Sequence, residues 1–261
     1  MKNFKEFKSP VNFLLTDIDD TLTDEGLLHP MAYSALWDLH HAGVSVIPVT
    51  GRPAGWCEMI ARMWPVVAVV GENGGFYFRY DHTNKKMLRH FLVSEQVQAQ
   101  NRTKLNLIRE EVLAKTPGAG VASDQFCRLM DLAIDFCEDV PALSGAQVDK
   151  IVEVFTDHGA QAKVSSIHVN GWYGTYNKVT TSLLLLEKEF GLSELKALEV
   201  CAFAGDSPND EPMFHRFKHS FAVANIAEFL PKLKAQPTYI ADDRGGMGFT
   251  QIARQIIASR S

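Results

Sequence analysis

Apolar residues fall along this chain in short buried-looking runs separated by stretches of helical period. Residues 11–15 form a short, mostly apolar run after Pro10 that ends in Thr16 and Asp17, the length and bulk of a buried parallel strand. Residues 30–41 follow with Pro30 at a first helical position and close at Gly43, and 44–49 read as a second buried strand. A helix over 53–63 and a strand over 66–70 continue the alternation. That order predicts a doubly wound parallel sheet, whose ligands gather beyond the carboxyl ends of the strands. The same grammar returns late, with a helix at 178–190, a strand at 200–204, a helix at 208–216, a strand at 220–223 and a closing helix at 248–258. Between the halves the texture changes. A hairpin over 76–80 and 87–93, an amphipathic stretch over 94–115, a strand at 129–136, a helix at 144–158 and a strand at 162–169 suit an inserted domain with antiparallel pairing. The expected fold is α/β, with a core of 1–80 and 172–261 and an inserted α/β domain of 81–171.

Composition narrows the class. The chain has 261 residues, 46% hydrophobic, enough for one large core or two smaller ones. A net charge of -5 with no long Lys or Arg run argues against nucleic acid as a partner. No stretch approaches the ~20 apolar residues that span a bilayer, so the expectation is a cytoplasmic protein with no membrane partner. Cys57, Cys127, Cys137 and Cys201 lie far apart without a CxxC pair, which indicates free thiols rather than zinc ligands or a disulfide framework. Oligomeric state leaves no mark in the sequence.

Asp17-Ile18-Asp19-Asp20 places three carboxylates in four residues where a hydrophobic strand ends. Crowded carboxylates raise one another's pKa, so the cluster makes sense around a divalent cation, and a hard ion such as Mg2+ suits oxygen donors. An isolated acidic turn can equally be solvated surface. Thr50-Gly51-Arg52 ends the second strand with a hydroxyl, a glycine and a guanidinium that can face one oxyanion, although a strand end followed by Gly is often only a turn. Gly205-Asp206-Ser207-Pro208-Asn209-Asp210 ends a third strand. Ser207 and Pro208 fit a helix start, but capping leaves Asp206 and Asp210 unexplained. Lys178 opens a helix, where a cation opposes the macrodipole and calls for an anion nearby.

Taken in order, Asp17/Asp19, Thr50, Lys178 and Asp206/Asp210 resemble the four motifs of the haloacid dehalogenase-like phosphohydrolases. The middle domain then looks like the large α/β cap of the subclass containing Cof-type sugar phosphatases, sucrose-phosphate phosphatases and mannosyl-phosphoglycerate phosphatases. Glu72-Asn73-Gly74-Gly75 resembles its pre-cap segment. The resemblance implies that Asp17 attacks phosphorus to form an aspartyl-phosphate, that Asp19 serves as acid and base, that Thr50 and Lys178 hold the phosphoryl group, and that Mg2+ is bound by Asp17, the Asp19 carbonyl and Asp206 with support from Asn209 and Asp210. Asp20 and Val179 stand where many relatives carry Gly.

The return from the cap, residues 165–177, is dense in aromatic and hydrogen-bonding groups. His168, Asn170 and Trp172 are candidate sugar contacts, as are Gly51, Arg52, Glu72 and Asn73 near the phosphate or sugar; a well-packed hinge is the plainer reading of 165–177. The expected substrate is a phosphorylated sugar or sugar-acid. A phosphomannomutase-like isomerase is the enzymatic alternative, for which Arg89, Arg102 and Arg128 are available to grip a second phosphate but form no local cluster, and a non-catalytic binding module is the other.

Overall fold

The computed structural model describes residues 2–165 and 167–260. Its centre is a six-stranded parallel sheet in the order Lys2–Asn3, Tyr239–Ile240, His219–Ala222, Cys201–Gly205, Phe13–Thr16, Ser45–Pro48. Strand residues alternate between two cores. Leu14, Val46, Ala202 and Ala204 pack with the helices Pro30–His41, Ala54–Met63 and Gly245–Ala258, whereas Leu15, Ile47, Cys201 and Phe203 pack with Lys178–Phe190, Glu194–Val200 and Glu211–Arg216. Burial on both faces is why these strands read as continuous apolar runs. The order reverses between Phe13–Thr16 and Cys201–Gly205, so their carboxyl ends form a topological switch point, and Asp17 and Asp206 leave the sheet there side by side.

Beside this edge lies a three-stranded sheet of Val69–Gly71, Phe76–Asp81 and Lys86–Phe91, joined to the central sheet by a parallel bridge between Val49 and Val70. A four-stranded antiparallel sheet, Gln161–Val164, His168–Trp172, Asp131–Asp135 and Gly120–Val121, carries Glu95–Lys115 and Gly145–Asp157 on one face over a third core built from Ile108, Ile134, Phe155 and Val169. Its other face carries Asp131, Asp135, His168 and Asn170, because side chains alternate with period two and the helices cover only one side.

Several expectations need correction. Residues 162–169 are two strands, not one; Ser165 reverses the chain by accepting bonds from the Ile167 and His168 amides while its own amide donates to the His168 carbonyl. No Gly or Pro announces that turn, and Ser166 lies outside the described residues. The stretch 208–216 divides into a 3-10 turn at Pro208–Asp210 and a helix at Glu211–Arg216. Ser207 occupies the cap position, but its hydroxyl donates to Asn209 Oδ1 rather than capping the backbone. The helix Glu194–Val200, the edge strand Lys2–Asn3 and its neighbour Tyr239–Ile240 are too short for a periodic signal. Among the described residues no helix is long and apolar enough to cross a membrane, and all four thiols are free.

Candidate active site

Four chain segments meet at the switch point. Asp17 follows the strand Phe13–Thr16 and is 3% exposed, its amide donating to the Ala204 carbonyl of the neighbouring strand. The Lys178 ammonium lies 3.2 Å from Asp17 Oδ1 and 2.9 Å from Asp210 Oδ1, and all three side chains are nearly or wholly buried. The anion that Lys178 requires at its helix start is thus a pair of carboxylates. The other Asp210 oxygen accepts from the Asp206 amide at 3.1 Å, holding the loop that presents Asp206, and Asp206 Oδ1 accepts from the Thr21 hydroxyl. Gly205 is required here, since a Cβ at that position would lie 2.3 Å from Asp210 Oδ2.

Oxygens of Asp17, Asp206 and Asp210 lie within 4.8 Å of one another. Three ionised carboxylates against one ammonium would leave two uncompensated negative charges, the deficit a divalent cation fills, and the donors are all hard oxygens. Without the ion, protons take its place: burial pushes Asp17 up to about 8, with Lys178 opposing and Asp210 and Asp19 adding to the rise, and burial also raises Asp206 well above the usual carboxylate range. The residues fit Mg2+. Stability depends on pH for the same reason. Asp17 ionises near 3.8 when unfolded and near 8 when folded, so across that window the folded chain holds more protons and stability falls as pH rises. In EDTA the melting temperature is expected to drop from about pH 5 to about pH 8 and level off above. The slope should be shallower for Asp17→Asn and in Mg2+, read by scanning calorimetry; an equal slope in all three would remove Asp17 as its source.

Above the carboxylates is a cleft between core and antiparallel sheet, enclosing about 40 Å³ and lined by Asp17, Asp19, Gly51, Arg52, Asn73 and Asp206 from below and Ser165, His168 and Asn170 from above. Thr50 is fully buried beneath it, its hydroxyl accepting from the Arg52 amide at 3.0 Å, and Lys178 and Asp210 lie under the floor. Asn209 lines the rim. Arg52 grips Asp19 in a bidentate pair, with Nε and Nη2 donating at 2.8 to 3.1 Å, and stacks 4.5 Å over the Trp56 ring. The helix bearing Trp56 packs into the core through Ala54, Cys57, Ile60 and Ala61, while Trp56 itself is 41% exposed and meets Arg52. Asp20 adopts φ 56, and Asn225 secures it by donating to its carbonyl at 2.7 Å. That left-handed backbone is a conformation glycine adopts without strain and a side-chain-bearing residue rarely does.

Not every candidate reaches the cleft. Trp172 is 3% exposed and stacks on Tyr176, outside the lining residues. Glu72, at φ 44 and fully buried, turns its carboxylate toward backbone, accepting from the Ala54, Leu129, Met130 and Asp131 amides. It pins the chain entering the antiparallel sheet to the phosphate-side loops. Gly74 at φ 106 permits the same segment to press on Asn177, where a Cβ would meet backbone at 2.4 Å. Arg128 lines the cleft, but its guanidinium is consumed by Asp124, Asp131 and the Gly51 carbonyl, and Arg89 pairs with Glu58. Sequence reasoning missed Trp56, Asn225 and Glu138. Glu138 lies 3.8 Å from Arg52 and 2.9 Å from His168, and only the packing of one sheet over the other brings these together.

Residues 14–106 match the model of the haloacid dehalogenase-like hydrolases. Over 253 residues, 95% of this chain and 99% of the other, the sequence is 25% identical to a phosphoglycolate phosphatase of Methanobrevibacter smithii. Among solved structures, Thermoplasma acidophilum 0175 superposes with a TM-score of 0.73 at 18% identity, covering 95% of this chain and 98% of that one. The sucrose-phosphatase of Synechocystis, solved with sucrose and phosphate, superposes with a TM-score of 0.64 at 14% identity, covering 94% and 98%. At such identities the structural likeness is one of fold.

Proposed function

We propose, from the premise that this chain is a haloacid dehalogenase-like hydrolase, that its phosphatase chemistry is phosphomonoester hydrolysis through an aspartyl-phosphate on Asp17, with a phosphorylated sugar or sugar-acid as substrate. The observation that carries the reading is the buried Asp17 carboxylate at a switch point with the Lys178 ammonium 3.2 Å away. A carboxylate so placed is a nucleophile whose charge, and that of an arriving phosphoryl group, is already partly balanced. An Asp17 oxygen attacks phosphorus as the bond to the leaving oxygen breaks, and Asp19, after leaving its ion pair with Arg52 and taking a proton from solvent, gives that proton to the leaving oxygen. Water then attacks phosphorus, returning a proton to Asp19, and the acyl-phosphate bond breaks to free Asp17 and phosphate. The Thr50 hydroxyl and Lys178 hold the phosphoryl oxygens in line, which is most of what phosphoryl transfer requires. Mg2+ would be held by Asp17, Asp206 and the Asp19 carbonyl, with Asn209 and Asp210 in support, and would supply charge against the phosphoryl oxygens.

His168, Asn170, Asn73 and Gly51 border the cleft and are the proposed substrate contacts, with Arg52 at the phosphate side. The proposed cap spans 81–171, of which Lys86–Phe91 pairs back onto Phe76–Asp81 in the sheet beside the core. The relative named for phosphoglycolate supports a small phosphorylated hydroxy-acid as one member of the proposed substrate range. The test is phosphate release from a panel of sugar and acid phosphates with Mg2+ and with EDTA. Release only with Mg2+ supports the reading; isomer formation without free phosphate from a hexose 1-phosphate would replace it with a mutase.

A further inference from the structure

The cap sheet offers the cleft a polar face, and most of that face is already committed. Asn170 donates to Asp131, Asp131 pairs with Arg128, and Asp135 accepts from the backbone amides of Cys137, Glu138 and Asp139 at 2.8 to 2.9 Å. That last set fixes the loop after Asp131–Asp135, and Glu138 in that loop comes within reach of His168 and Arg52, two residues that line the cleft. Glu138 Oε2 then lies 2.9 Å from His168 Nε2, and Oε1 lies 3.8 Å from Arg52, while a third of the Glu138 side chain stays open to solvent. His168 is 3% exposed, and its Nε2 has no hydrogen-bond partner, since the Glu138 oxygen sits off the ring's bonding direction. A buried ring nitrogen with an unmet bond, facing a cleft beside an oriented carboxylate, is a site built for a third group.

We propose that Glu138 is a specificity-determining residue which, with His168, reads hydroxyls on the leaving group, so that the enzyme favours a polyol or sugar phosphate over a phosphorylated carboxylic acid. The inference rests on the phosphatase reading and selects within its substrate range. A hydroxyl between the two residues donates to the Glu138 carboxylate and meets Nε2 with its remaining capacity. Burial and the nearby Arg128 charge lower His168 to about 4, so the ring is neutral and can donate or accept. A leaving-group carboxylate at the same place would face the Glu138 charge, with Arg52 already engaged by Asp19. At that place the Glu138 charge accepts neutral donors and opposes an anion, while Lys163 is the cation on the same wall, opposite Asn170 in the strand pair.

Binding is measured by calorimetry with Mg2+ in the Asp17→Asn background, so that turnover is irrelevant, using sorbitol 6-phosphate, phosphoglycolate and inorganic phosphate. Adding Glu138→Gln is expected to weaken sorbitol 6-phosphate at least about tenfold relative to inorganic phosphate, the loss of one charge-assisted hydrogen bond. The ratio of sorbitol 6-phosphate to phosphoglycolate affinity should move toward phosphoglycolate, and Glu138→Asp should recover part of the first loss. Unchanged ratios, or ratios moving the other way, overturn the assignment. If the unsubstituted chain releases no phosphate from any ester in Mg2+, the phosphatase reading fails, while these affinities still decide the subsite.

Discussion

Replacing Asp17 by Asn is expected to lower kcat for any phosphomonoester about 10⁴-fold or more, because in the proposed route the amide cannot form the acyl-phosphate. Asn preserves the shape of a side chain that is 3% exposed, so the variant stays folded and keeps the Lys178–Asp210 pair at 2.9 Å. The check is single-turnover kinetics together with a search for a labile phosphoryl adduct by mass spectrometry after acid quench. The native chain is expected to show an adduct of one phosphoryl group and Asp17→Asn none. An adduct on another residue, or residual activity within tenfold of native, would remove Asp17 from the proposed role.

Lys178→Met is expected to cost both activity and stability, and the two losses have separate causes. With the ammonium gone, Asp17 and Asp210 face each other buried and unbalanced, and breaking such a pair costs about 3–5 kcal/mol. Protonation of the carboxylates, and Mg2+ where it binds, should recover part of it, so the loss is largest in EDTA at alkaline pH. On activity, removing one charge-stabilising group lowers kcat about 10²- to 10³-fold. The double variant Lys178→Met/Asp210→Asn returns the site to its native net charge, carried by Asp17 and Asp206. Stability should return in part and kcat should not. If the double variant regains kcat as well, Lys178 acts only as packing.

Asp17 and Lys178 both stand out in the amino-acid sequence, and the reason is local. A carboxylate at the end of a buried strand, a Pro-bearing turn after another, and a lysine opening a helix are each anomalies of their immediate neighbourhood. Lys178 is conspicuous because a cation at that place needs an anion, and the fold supplies Asp17 and Asp210. The pre-cap segment is legible in the same way, although the use of Glu72 as a clamp on four backbone amides is not. Trp172 shows the limit most clearly. It shares a strand and its period with His168 and Asn170, yet it sits at the strand's end and packs on Tyr176, while the other two line the cleft.

By itself the sequence determined the parallel α/β core, the strand ends where chemistry gathers, and the residues whose charge is costly without a counterpart, since each follows from neighbours a few positions away. The tertiary structure alone decided that Arg52 binds Asp19, that Ser165 splits one apparent strand into two, and that Glu138 comes to face His168. The pairings of Arg52 with Asp19 and of Glu138 with His168 join residues tens of positions apart, and no local period encodes which distant side chain will stand opposite.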